Sequence, residues 1–119
     1  MMFGPVDYKA NFESDVWLCF TAFGEGYVLV MYRTSFEWTI WCYPPNDKYP
    51  HVYYEPKVMD VLLENGLYEA KENETFIDAE TQYQYTDKGG QLYEELMDIP
   101  LEEREQVFIS QIKIDWSKY

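Results

Sequence analysis

Residues 16–43 read VWLCFTAF-GEG-YVLVMY-RTS-FEWTIWCY, and this stretch decides the fold of the first half. Val16–Phe23 is rich in β-branched and aromatic types, and Gly24-Glu25-Gly26 supplies two positions that tolerate positive φ. Tyr27–Tyr32 resumes an extended pattern. After Arg33-Thr34-Ser35, Phe36, Trp38, Ile40 and Cys42 alternate with Glu37, Thr39, Trp41 and Tyr43. The expectation is a three-stranded antiparallel meander, ended by Pro44-Pro45-Asn46-Asp47 because proline cannot continue a ladder. Cys19 and Cys42 would then lie on strands one and three. Two strand spacings of roughly 9–10 Å would be too far to bridge.

Beyond Tyr54 the period changes. Val58, Met59, Val61 and Leu62 fall at helical spacing behind Pro56, and Asn65-Gly66 forms a left-handed stop. Leu67–Lys71 and Thr81–Thr86 read as short strands around a polar excursion, Glu72–Glu80. Gly90–Met97 places Leu92/Leu96 and Tyr93/Met97 at i,i+4. Pro100 opens a further helical turn, Leu101–Gln106, with Glu102 and Glu103 well placed against the dipole. Alternation of Phe108, Ser110, Ile112, Ile114 and Trp116 suggests that Val107–Trp116 is a closing strand. The expected class is α+β in a single domain, 1–119: meander, helix, hairpin, helix and closing C-terminal strand.

Within Pro56–Met97 the order is a helix stopped by Leu62 to Leu67, a strand, an acidic tip, a strand ending Tyr85-Thr86-Asp87-Lys88-Gly89, and a helix carrying Leu92-Tyr93-Glu94-Glu95-Leu96. This third of the chain resembles the latter part of a winged-helix domain: recognition helix, wing and final helix. The resemblance implies a local fold, and a regulator or dimerisation module as one function. Its DNA contacts are not implied. Where that family carries basic groups for phosphate, this helix offers Lys57 against Asp60 and Glu64. The wing offers Lys71 against Glu69, Glu72, Glu74, Asp78 and Glu80. The first half is expected to lack the helices that normally precede a recognition helix.

Charge supports the same exclusion. The chain has 22 acidic and 9 basic residues, a formal net charge of -13. Residues 51–119 hold sixteen acids and six bases, a net of -10. Phosphate neutralisation dominates nonspecific affinity for nucleic acid, so the charge points away from direct binding to nucleic acid or an anionic membrane. With 19% aromatic residues, the chain has ample area to bury and is not a disordered acidic tail. No run approaches the ~18 apolar residues of a membrane helix, and no signal peptide is evident, so a cytoplasmic location is expected.

The first candidate surface is the carboxylate row Glu64, Glu69, Glu72, Glu74, Asp78 and Glu80. On a stiff ribbon it could imitate a phosphate backbone and engage a basic, nucleic-acid-binding protein. The ordinary alternative is a solvated face. The second candidate is the aromatic loop Tyr43–Tyr54, with Tyr49 and Tyr53 as contact residues, or simply as sheet cover. In composition the chain resembles phage-encoded anti-restriction or anti-CRISPR inhibitors. A small enzyme or ligand carrier using the aromatic sheet is a further alternative, and a homodimer is compatible with either surface.

No catalytic centre is expected. Glu94/Glu95, Glu102/Glu103 and Glu72/Glu74 sit in solvated contexts that would not perturb a pKa. Asp87-Lys88-Gly89-Gly90 lacks phosphate-loop spacing. Asp78-Ala79-Glu80 and Glu72-Asn73-Glu74 lack the central glycine of a calcium loop, and by spacing alone His51 cannot build a zinc site with the two cysteines. No cofactor or metal is expected, and the two thiols read as buried small hydrophobes.

Overall fold

The computed structural model describes residues 8–71 and 79–119. The elements are α1 (Tyr8–Gly24), β1 (Val28–Arg33), β2 (Trp38–Tyr43), β3 (Val52–Tyr54), α2 (Pro56–Glu64), β4 (Tyr68–Lys71), β5 (Ala79–Tyr85), α3 (Asp87–Met97), α4 (Leu101–Gln111) and a 3₁₀ turn (Trp116–Lys118). The class is α+β. The strands form one antiparallel sheet in the order β3-β2-β1-β5-β4.

The first strand of the expected meander is instead the second half of α1. Phe12, Val16, Cys19 and Phe20 are buried at i, i+4, i+7 and i+8, while Leu18 is 48% exposed. That is helical spacing, visible only when the pattern is followed back to Phe12. The Gly24-Glu25-Gly26 turn is consequently a helix stop. Gly26, at φ 99°, is followed by Tyr27, whose N–H reaches the Ala22 carbonyl at 3.0 Å, while Gly26 N–H reaches that of Phe23 at 3.0 Å. These two bonds define a Schellman cap. The same device closes α2, where Gly66 has φ 70° and Leu67 N–H reaches the Leu62 carbonyl at 3.0 Å. A helix therefore does precede α2, and the two pack together.

Two further expectations change. The aromatic segment 43–54 contains β3, which pairs Val52, Tyr53 and Tyr54 with Cys42, Trp41 and Ile40. The closing strand is absent from the described residues. α4 continues to Gln111, and an extended tail then runs to the 3₁₀ turn. The alternation holds only from Ile112 on, where the chain is extended and Ile112, Ile114 and Trp116 pack against the core while Lys113 and Asp115 are exposed, but no ladder among the described residues pairs it; Phe108 is instead the buried anchor of α4. The tail is held by Asn65, whose side chain donates to Lys113 O at 2.8 Å and accepts from Lys113 N at 2.9 Å. Trp116 and Tyr119 meet the Phe12 ring at 5.7 and 5.2 Å.

The helices and one sheet face enclose the core. Leu29, Ile40, Cys42, Tyr68 and Tyr83 point into it from the sheet. Phe20 lies at its centre, with ring centroids 4.7 Å from Phe108, 5.2 Å from Tyr85 and 6.3 Å from Tyr68. The hydroxyls of Tyr68 and Tyr85 satisfy the end of α1, donating to Phe20 O at 2.9 and 2.5 Å, and Tyr68 also reaches Cys19 O at 2.9 Å. Burial raises both phenols well above their ordinary range.

Cys19 and Cys42 are free thiols, as expected, but they are not held apart. With Cys19 on a helix over the sheet, the two fully buried side chains are neighbours in one core cluster. Burial, then the neighbouring Cys42, raises the Cys19 thiol well above its usual range.

Candidate functional site

Strand alternation separates two sheet faces. Leu29, Met31, Ile40, Cys42, Val52 and Tyr54 join the core, so their neighbours Val30, Tyr32, Trp41 and Tyr53 occupy the opposite face. Val30 is buried there, outside the core cluster, with Gln82 opposite it in register. Farther along this face, Glu69 on β4 is exposed and accepts from Gln84 Nε2 at 3.0 Å. The face thus runs from aromatic on β1–β3 to polar and acidic toward β4.

Trp41 organises the aromatic half. Tyr43 stacks beside it at 5.4 Å and 16°. Tyr53 and Tyr32 meet it edge-on at 4.6 and 5.1 Å. Its indole N–H donates to His51 Nδ1 at 2.9 Å, which places the neutral imidazole proton on Nε2. The indole N–H is thereby used within the cluster, leaving ring faces and phenolic hydroxyls outward. Tyr43 and Tyr53 remain 36% and 54% exposed. Partial burial, then the neighbouring Tyr32 and Tyr53, raises the Tyr43 phenol. Tyr49 lies apart from this group. It lines a cleft of about 530 Å³ with Glu25, Tyr27, Pro45 and Asn46.

The carboxylate row is divided by the fold. Glu64, at the end of α2, is ion-paired with Lys118 at 2.7 Å. Glu69 lies on the edge strand β4, and Glu80 falls within β5, which is bonded on both sides by β4 and β1. Glu72, Glu74 and Asp78 lie outside the described residues. Over Pro56–Met97 the elements run helix, strand, strand, helix, but the second strand is interior to the sheet.

A denser acidic surface, passed over in the sequence as unproductive carboxylate pairs, is the elbow between α3 and α4. Glu94, Glu95, Asp98, Glu102, Glu103 and Glu105 are all exposed. The one base in that span, Arg104, turns inward and donates to Ile99 O at 2.8 Å and Met97 O at 3.0 Å. Its signal was available as acid density, but the inward turn of Arg104 depends on the helix–helix connection.

Other basic side chains behave similarly. Lys57 pairs with Glu55 at 2.9 Å and lies over the Tyr8 and Phe12 rings. Lys88 donates to Asn65 O at 2.9 Å. Lys9 lies over Trp116, and Arg33 over Trp38. With Arg104 and Lys118, at least six of the nine bases are turned onto internal partners among the described residues.

Among the described residues, no three His, Cys, Asp or Glu side chains converge as a metal site, and no helix is long and apolar enough to cross a membrane. Comparison with protein-family models, curated proteins and solved structures finds no match.

Proposed function

We propose that this is a non-enzymatic, acidic interaction protein that binds and blocks a basic, nucleic-acid-handling protein, presenting carboxylates where that partner expects phosphates. The observation that carries the reading is the asymmetry of charge use. Most bases are spent on internal partners, while the α3–α4 elbow and Glu69 face solvent. Such a distribution costs self-repulsion and gains long-range attraction to a positively charged groove. The edge position of β4 lets Glu69 approach a partner, and the elbow adds a second row of charge on helices. This function belongs to the same class as phage-type anti-restriction or anti-CRISPR inhibition in the cytoplasm of a host cell.

The test is association kinetics with a DNA-binding protein captured from a bacterial lysate. Glu94→Lys with Glu105→Lys, and separately Glu72→Lys with Glu74→Lys, should slow association about tenfold at low salt. Folding stability should stay within about 0.5 kcal/mol of wild type. Unchanged association rates in both variants would remove the electrostatic basis of the proposal.

A further inference from the structure

We infer that the aromatic half of the open sheet face is a docking platform for an arginine-bearing segment of the protein partner. The inference rests on the proposed function, and it adds where the partner's side chains seat and which basic residue they carry. The first observation is chemical. Tyr43 and Tyr53 present exposed rings around Trp41, whose indole N–H is already satisfied by His51. The group offers negative ring faces together with phenolic oxygens that can accept, a combination that suits a cation rich in donors. A guanidinium is planar, carries five N–H donors and stacks on such rings better than an ammonium.

The second observation is the pattern of cations inside the molecule. Lys9, Arg33 and Lys57 lie over Trp116, Trp38, and Tyr8 with Phe12. Among the described residues no such cation is seen over Trp41, Tyr43 or Tyr53, of which Tyr43 and Tyr53 are exposed. The third is charge complementarity. The chain carries -13, and the same face continues to the exposed carboxylate of Glu69. A basic strand or loop crossing the sheet from β3 to β4 would set one guanidinium on the rings and bring another toward that carboxylate. An aromatic face with a basic rim would instead suit stacked nucleobases, and here the overall charge opposes that occupant.

The experiment titrates the full chain with hexa-arginine and hexa-lysine peptides at one ionic strength, following the Trp41 indole N–H resonance. That resonance is assigned as the signal lost in Trp41→Phe. Hexa-arginine should bind about tenfold more tightly than hexa-lysine and shift the Trp41 signal. Tyr43→Ala with Tyr53→Ala should reduce that preference to near unity. Tyr53→Leu, which keeps apolar cover over Trp41, should reduce it in part and guards against a simple loss of fold. Equal binding of the two peptides with an unmoved Trp41 signal overturns the platform while leaving the acidic-inhibitor reading intact. Failure of both peptides to bind overturns both. A thymidine oligonucleotide or an oligosaccharide that moves the Trp41 signal at lower concentration than hexa-arginine assigns the face to another ligand and overturns the inference.

Discussion

Replacing Phe20 and Leu18 separately with alanine distinguishes a helix from a strand at the centre of this fold. In a strand, residues two apart share a face and would lose similar burial. In α1 they lie roughly 200° apart around the axis, and the structure places Phe20 at 0% exposure and Leu18 at 48%. The Phe20 ring meets Phe108, Tyr85, Tyr68, Trp17 and Tyr93 within 6.4 Å between centroids. Its removal leaves a cavity between α1, α4 and the sheet, and a buried Phe→Ala change costs about 3–5 kcal/mol. Against a total stability on the order of 10 kcal/mol, that is a large fraction. At roughly 4 °C per kcal/mol, Tm should fall by about 12–20 °C. Leu18→Ala should cost under about 1 kcal/mol, since much of its side chain is already in water. Urea unfolding followed by far-UV circular dichroism measures both on one scale. Equal losses for Leu18→Ala and Phe20→Ala would refute the helical placement of this segment.

Four further outcomes follow from particular contacts. Gly89→Ala should destabilise strongly, by more than about 2 kcal/mol, because a Cβ would sit 2.0 Å from the Leu67 carbonyl oxygen; thermal unfolding checks it. Thr86→Ala should cost about 1 kcal/mol by removing the cap that accepts from Gly89 N at 3.0 Å, and urea midpoints read the loss. Tyr68→Phe should cost about 1–2 kcal/mol, because its buried hydroxyl serves two carbonyls of α1. The Asp60 carboxyl is raised by partial desolvation, then by Glu64, so its own contribution to stability declines as pH rises through the carboxylate range. Asp60→Asn should therefore gain stability at pH 7 and none near pH 3, by calorimetry at the two pH values.

The sequence made the elements around Gly66 legible because the cap, the helical period of Val58–Leu62 and the following strand all agree. It misled at Val16–Phe23 because aromatic and β-branched residues suit both strand and buried helix, and a short apolar window cannot separate them. The Gly-Glu-Gly turn reinforced the error, since a hairpin and a Schellman cap demand the same positive φ. Strand β3 was hidden inside a proline-rich connection, and only its pairing with Cys42, Trp41 and Ile40 declares it. For the candidate site, the sequence marks Tyr53 only as one aromatic of the Tyr43–Tyr54 segment. Its grouping with Trp41, Tyr43 and His51 needed strand register, which no local pattern encodes. The inward turn of Arg104 was equally hidden, because its acceptors belong to the α3–α4 connection.

The most direct test of the central claim is competition on immobilised protein. A bacterial lysate is passed over the full chain at about 150 mM salt, and the bound proteins are challenged with duplex oligonucleotide and, separately, with rising salt. Retained proteins that bind nucleic acid, and that are released both by the duplex and by a few hundred millimolar salt, are the predicted result. Retention of proteins that neither bind nucleic acid nor leave on addition of duplex would contradict the account.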